Sequence, residues 1–245
     1  NVYYVGTNAG SVALNMVGSS DWLSIASNSN LAIGTADFTL EMWVYLNTSS
    51  LADWGIYDQR NGTNGAGVIQ PFLELQTASG YAWYSQATNK MSSGTSAVKF
   101  RQWQHIAVSR ASGTSRLFVD GSQVGSFTDG LNYPAGSINI GRNNDGVLTH
   151  FFSGFISNIR LMVGTGSGIY TGAFTPSTTP LTAIANTKLL ITGANGGIVD
   201  YTTRNNLITS GNIVSSPLQS KYGNYSAYFD GSGDYITAPN MDDQF

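Results

Sequence analysis

The stretch Phe38-Thr39-Leu40-Glu41-Met42-Trp43-Val44-Tyr45 alternates with a period of two, the spacing at which a β-strand sends every second side chain to the same face. Phe38, Leu40, Met42 and Val44 share one face, and the pattern assigns that face to a core. The opposite face carries Thr39, Glu41, Trp43 and Tyr45. That set is too aromatic for a surface turned to plain solvent, so the strand is expected to be covered on both sides or to line a groove. A central strand in a stack of two sheets meets this requirement.

The rest of the chain reads as partners for such a strand. Residues 103–110, the turn Ala111-Ser112-Gly113-Thr114 and residues 115–119 read as strand, hairpin, strand. Asp120-Gly121 then supplies turn residues that tolerate positive φ before a third strand at 123–127. Residues 137–141 and 151–162 add two more strands around the polar loop 142–149, and 187–192 adds another. Between them, residues 165–180 are rich in Gly, Thr and Pro and read as an extended surface connection. Nothing alternates with helical patterns, which argues against a parallel α/β sheet. The expected class is all-β, a two-sheet antiparallel β-sandwich or jelly roll with almost no helix.

Composition narrows the partners. Charged residues make up only 10% of the chain, while Gly 29, Ser 29, Thr 23 and Asn 21 dominate it, so solubility rests on uncharged polar groups. A net charge of -3 without any basic run argues against nucleic acid and anionic membrane as partners, because phosphate binding needs clustered cations. No apolar run approaches the roughly 18 residues of a membrane span. Cysteine is absent, which excludes disulfides, thiolate metal sites and cysteine nucleophiles. The chain starts at Asn1 and is read as a processed product or part of a longer polypeptide.

The chain also echoes itself. With Asp234 laid on Asp21, an offset of 213, Gly10/Gly223, Gly18/Gly231, Ser19/Ser232 and Asp21/Asp234 coincide, and Met16/Phe229, Trp22/Tyr235 and Leu23/Ile236 are similar. An echo of this kind implies tandem modules. Residues 1–192 are read as one module. Residues 193–245 are read as the start of a second, with extra edge strands on the first as the alternative.

In order, Asp21-Trp22-Leu23, Phe38 to Val44, Trp103-Gln104-His105-Ile106-Ala107-Val108, Leu117 to Gly121, Ile138 to Arg142 and Gly154 to Arg160 resemble the laminin-G-like branch of the concanavalin A-like lectin/glucanase superfamily. The echo at Tyr228 to Ile236 looks like that family's opening strand. Ile169 to Pro176 and Thr187 to Leu190 look like the tail of modules found in tailed-bacteriophage virion proteins, such as fibres and appendages. The resemblance implies a two-sheet jelly roll. It spans lectins, adhesive modules, hydrolases and architectural domains, so it leaves function to the site.

Catalytic chemistry is poorly supplied. Glycoside hydrolysis needs two carboxyl groups at a defined separation, yet Glu41 and Glu74 are the only glutamates and Glu41 has no acidic neighbour in its strand. Glu41 is read as a hydrogen-bonded structural residue. A Ser/His/Asp triad would have to use His105 or His150, both read as structural, and no phosphate loop or dinucleotide fingerprint occurs. Calcium is the cofactor that the resemblance admits, with Asn143 and Asp145 of Asn143-Asn144-Asp145-Gly146 as weak candidate ligands and Asp230 to Asp234 as a second loop.

Sugar binding asks for an aromatic platform beside a few placed polar groups. Residues 51–84 are the richest segment in that respect, and Trp54, Tyr57, Asn61, Trp83 and Tyr84 are the carbohydrate-binding candidates. The competing reading is that Trp83 and Tyr84 alternate across a strand, one in the core and one at the surface. The expected function is a non-enzymatic structural or adhesive module of a virion or extracellular protein, such as a phage tail fibre, appendage or capsid-surface component. Its expected partners are neighbouring virion or extracellular protein chains and host surface glycan, and homo-oligomer formation is compatible with it. The alternatives are a soluble lectin of cellular origin and, more remotely, a degenerate glycoside hydrolase.

Overall fold

The alternation at Phe38 becomes a central strand of one sheet. In the computed structural model, β3 (Phe38–Leu46) lies between β8 (Trp103–Ala111) and β12 (Ser153–Val163), antiparallel to both. The structure describes residues 13, 14, 16, 22–146, 150–192 and 202, together with the backbone of residues 15, 17, 208–210, 214–216, 226–228 and 235–237.

The other strands are β1 (Ala13–Val17), β2 (Trp22–Ile25), β4 (Trp54–Asp58), β5 (Phe72–Gln76), β6 (Gly80–Ser85), β7 (Thr88–Ser92), β9 (Thr114–Val119), β10 (Ser122–Thr128), β11 (Ile138–Ile140), β13 (Thr187–Ile191), β14 (Ile208–Ser210), β15 (Val214–Ser216), β16 (Ser226–Tyr228) and β17 (Tyr235–Thr237). The first sheet runs β10-β9-β8-β3-β12-β1-β16-β15, with β13 also on β12. The second runs β14-β17-β2-β11-β4-β5-β6-β7. Helix is confined, among the described residues, to two 3₁₀ turns at Ser29–Leu31 and Thr95–Ala97.

The two sheets stack on a core built as the periodicity requires. Phe38, Leu40, Met42 and Val44 meet Leu73, Leu75, Tyr81 and Trp83 of the second sheet. Phe38 stacks on Trp83 at 5.9 Å between ring centroids, and Tyr133 meets both rings edge-on. Each such buried ring removes a large apolar area from water and stabilises the sandwich by roughly 1.5–3 kcal/mol. The hairpins follow from local chemistry. Ser112 and Gly113, then Asp120 and Gly121, carry positive φ at both central positions of their turns, the geometry that matches strand twist.

The outer face of the first sheet is sealed. Residues 164–186 cross it as a strap, which is why Thr39 and Glu41 are buried although they face away from the core. Thr39 Oγ1 donates to the Ser167 carbonyl at 2.6 Å, and the Tyr170 hydroxyl donates to Glu41 Oε2 at 2.9 Å. Tyr170 stacks flat on Phe174, with centroids 3.6 Å apart. Gly121 gives the strap its closest approach. A Cβ there would stand 1.8 Å from the Phe174 carbonyl oxygen.

Under the strap, Glu41 is fully engaged. Arg160 holds Glu41 Oε1 through Nε at 2.9 Å and Nη2 at 2.5 Å, and His105 Nε2 lies 3.1 Å from Oε2. Burial by itself would raise the Glu41 carboxyl, but the His105 hydrogen bond and the Arg160 charge outweigh it and hold the group below its ordinary value. The reading of Glu41 as a hydrogen-bonded structural residue matches this geometry.

Candidate functional site

The outer face of the second sheet is built differently. Along β5, Leu73 and Leu75 enter the core, so Phe72, Glu74 and Gln76 point outward by the period of two. On β6 the same alternation sends Tyr81 and Trp83 inward and Tyr84 outward. These outward residues floor a cleft of about 190 Å³ whose lining includes Asp53, Arg60, Tyr84, Asn143 and His150.

One row of the floor crosses three neighbouring chain segments. Phe72 sits opposite Asp58 on one side and Tyr84 on the other. The Phe72 and Tyr84 rings stack with centroids 4.9 Å apart and planes within 15°, and the Arg60 guanidinium lies 3.6 Å from the Phe72 ring centre. Arg60 is in turn locked to Asp58 by a buried pair at 2.5 Å. Asp58 also accepts from the Arg60 backbone N–H and from the Asn144 backbone N–H at 2.7 Å. Asn144 closes the corner by donating through Nδ2 to the Arg60 carbonyl.

A second row is a relay of side-chain amides. The Tyr84 hydroxyl donates to Gln76 Oε1 at 2.6 Å, and Gln76 Nε2 donates to Glu74 Oε1 at 2.6 Å. From the other side, Asn143 Nδ2 donates to Glu74 Oε2 at 2.9 Å. Burial raises the Glu74 carboxyl above its ordinary value. The Asn143 hydrogen bond and the charges of Arg60 and His150 pull it back only in part. Asp53 marks the exposed rim, where it accepts from the Thr77 backbone N–H at 2.8 Å and from the Thr77 hydroxyl.

The chain that follows β11 reaches this cleft because residue 55 is glycine. A Cβ on Gly55 would fall 2.2 Å from the Asn143 backbone nitrogen and 2.4 Å from Asn143 Oδ1. Without that gap, Asn143 could not lie against β4 and reach Glu74.

The structure redistributes the sequence candidates. Tyr84 lines the cleft. Tyr57 and Trp83 do not face the cleft, because both are 0% exposed and belong to the core, a correction explained for Trp83 by the inward parity of β6 and for Tyr57 by the bulge after Gly55. Trp54 is half-buried, packs against the core and meets Phe152 edge-on at 5.9 Å. Asn61 is exposed beside the cleft and accepts from the Ser137 backbone N–H at 2.9 Å, which closes a loop. Glu74, Gln76 and Phe72 were passed over. The alternation Phe72-Leu73-Glu74-Leu75-Gln76 was the signal that could have found them.

Calcium does not fit the candidate pair Asn143 and Asp145 as they stand. The ion wants six to eight oxygens, whereas Asn143 turns its amide nitrogen to Glu74 and packs its buried oxygen against Gly55. Among the described residues no group of three or more His, Asp or Glu side chains could hold a metal. The loop Asp230 to Asp234 lies outside the described residues.

A two-sheet antiparallel sandwich with a polar, aromatic-floored cleft on one outer face defines a jelly-roll module of the lectin-like class. Residues 17–165 match a laminin-G-type model of the concanavalin A-like lectin/glucanases superfamily, and the chain belongs to that superfamily. Solved structures share the architecture at low identity. A putative carbohydrate binding protein from Bacteroides ovatus is 15% identical with a TM-score of 0.50, the match covering 96% of this chain and 60% of that one. The native heptameric SAP-like pentraxin of Limulus polyphemus is 12% identical with a TM-score of 0.47, over 96% and 97% of the two chains. The CBM40 of the Ruminococcus gnavus IT-sialidase, bound to α2,3-sialyllactose, is 15% identical with a TM-score of 0.44, over 60% and 86%. No curated protein matches the chain.

Proposed function

We propose that this chain is a non-catalytic carbohydrate-binding module that takes a sugar in the cleft over β5 and β6. The observation that carries the reading is the pairing of Tyr84, half-buried on the Phe72 ring, with the Gln76–Glu74–Asn143 relay beside it. An aromatic edge and a short row of fixed amides and a carboxyl are what a pyranose ring and its hydroxyls require. The family and the carbohydrate-binding name of the Bacteroides ovatus structure agree with it.

The lining also points to the class of sugar. Among the described residues Asp53, Glu74 and Asp145 line the cleft beside Arg60 and His150, and no lysine does. Arg60 spends Nε and Nη2 on Asp58 and its face on Phe72. Neutral or amine-bearing sugars suit this charge balance, and acidic sugars do not.

Catalysis finds little purchase. Glu74 has the raised carboxyl that a general acid needs, but both of its oxygens already accept from amides. Glu41 is sealed under the strap.

The wider setting we favour is an adhesive module of an extracellular or virion protein, with a tailed-phage fibre, appendage or capsid-surface component as the specific case. Low charge, absence of cysteine and richness in Gly, Ser, Thr and Asn support it. Neighbouring chains of the same assembly would then be further partners.

The test is a glycan array that spans neutral, amine-bearing and acidic bacterial surface sugars, probed with the chain and with Tyr84→Ala and Gln76→Ala. Specific binding that falls at least tenfold in both folded variants supports the cleft. Binding that survives both variants places recognition elsewhere, and silence across the array refutes the reading.

A further inference from the structure

The repeated opening motif is the sequence feature that the cleft leaves unused. Its two copies are offset by 213 residues in sequence. In the structure β16 runs parallel to β1, with Leu14 opposite Ala227 and Asn15 opposite Tyr228. In the other sheet β17 runs parallel to β2, with Trp22 opposite Tyr235 and Leu23 opposite Ile236. Each of these four pairs is separated by 213 positions, the same offset that aligns the echo. Two ladders in two different sheets thus set each residue beside its own counterpart.

Parallel pairing is itself informative. All other pairings among the described strands are antiparallel. A sheet that grows by successive hairpins gains antiparallel neighbours, because a short turn reverses the chain. A copied motif laid beside its original gives parallel neighbours instead. Both copies also make the same crossing, from the first sheet in β1 and β16 to the second sheet in β2 and β17. Register matters because side chains alternate faces, so a slip by one residue would turn the inward positions of one copy outward. An offset equal to the repeat keeps the two copies in register in both sheets.

We propose that the paired edge formed by β1 and β2 is a docking seat for the opening corner of another copy of this module, occupied in this chain by β16 and β17. Successive copies are then joined through continuous sheets, in register, and the partner that fits the seat is a β1–β2 corner. This rests on the echo and the two ladders and is independent of the sugar cleft.

The absence of cysteine provides a clean background for the test. In the 245-residue chain, Leu14→Cys/Ala227→Cys and Leu23→Cys/Ile236→Cys are oxidised under mild conditions and mapped by peptide mass spectrometry. Leu14→Cys/Phe229→Cys serves as a slipped register, and Ala13→Cys/Ser157→Cys, across the β1–β12 ladder, as a positive control. The expected result is disulfide formation at both in-register pairs at least tenfold faster than in the slipped pair. An interchain disulfide at the same register supports the proposal too, because a second copy then fills the seat. Failure of both in-register pairs while the control closes overturns it. Hydrogen exchange on the unsubstituted chain gives an independent reading. Peptides over Ala13–Val17 and Trp22–Ile25 should be protected as strongly as β12, and fast exchange typical of a bare edge would refute the seat.

Discussion

Glu41 and Glu74 project from the outer faces of the two sheets, at 1% and 5% exposure, yet their surroundings drive them in opposite directions. Glu41 lies under the strap with Arg160, His105 and Tyr170 around it, and its carboxyl is held low. Glu74 lies at the floor of an open cleft with amides as its direct partners, and burial pushes its carboxyl up. The difference separates a face committed to stability from a face left available. A buried carboxylate that takes two N–H donors of an arginine on one oxygen has its charge answered within the fold. A carboxyl whose direct partners are amides, with Arg60 and His150 acting as nearby charges, keeps acceptor capacity for a ligand.

The largest expected effect breaks the first half of this contrast. Arg160→Ala removes the cation and leaves Glu41 buried without it, a change that costs about 3–5 kcal/mol in comparable pairs. Urea unfolding at neutral pH measures it, and a cost under about 1 kcal/mol would show that Glu41 does not depend on Arg160.

A smaller effect tests whether the two faces are separable. Gly121→Ala places a side chain at positive φ and against the strap, and strain of this kind costs roughly 1–3 kcal/mol. Stability should fall by that amount while sugar binding at the cleft stays within twofold. A parallel loss of binding would mean that the strap and the cleft are coupled.

The smallest effect is the most discriminating, because it has a sign. Glu41 is lowered from 4.5, so its contribution is present above that value and is lost as pH falls through the lowered folded pKa. Glu74 is raised from 4.5, so its contribution is present below that value and is lost as pH rises through the raised folded pKa. Relative to Glu41→Gln, the chain should therefore lose stability on acidification below 4.5. Relative to Glu74→Gln, it should lose stability as pH rises above 4.5. Each pKa unit of difference corresponds to about 1.4 kcal/mol. Melting curves from acid to neutral pH read both slopes, and slopes of the same sign would erase the contrast.

The parity of single strands was legible before the structure. Phe38, Leu40, Met42 and Val44 enter the core, and the aromatic reverse face of that strand is covered, as its composition required. The hairpin turns at Ser112-Gly113 and Asp120-Gly121 were legible for the same reason, since positive φ is a local demand met by local residue types. The sugar candidates fared less well. Counting aromatics in residues 51–84 selected Tyr57 and Trp83, whose rings are core, and passed over Phe72, Glu74 and Gln76 on the neighbouring outward face. Parity identifies which residues share a face, but a bulge inside a short strand, such as that between Gly55 and Tyr57, resets it.

What the chain determined by itself is therefore the most regularly alternating strands, the hairpin turns between them and the apolar face of β3, because these depend on contacts a few residues apart. Tertiary structure alone decided the rest. Asp53, Glu74, Tyr84, Asn143 and His150 line one cleft only because β4, β5, β6 and the chain after β11 come together, with Gly55 leaving room. The opposite fates of two glutamates were set by which distant segment came to lie over each face, a strap with its tyrosine and a neighbouring arginine over one, and an open cleft over the other. A carboxyl's charge answers to whatever lies within a few ångströms in space, and strand periodicity carries no record of that.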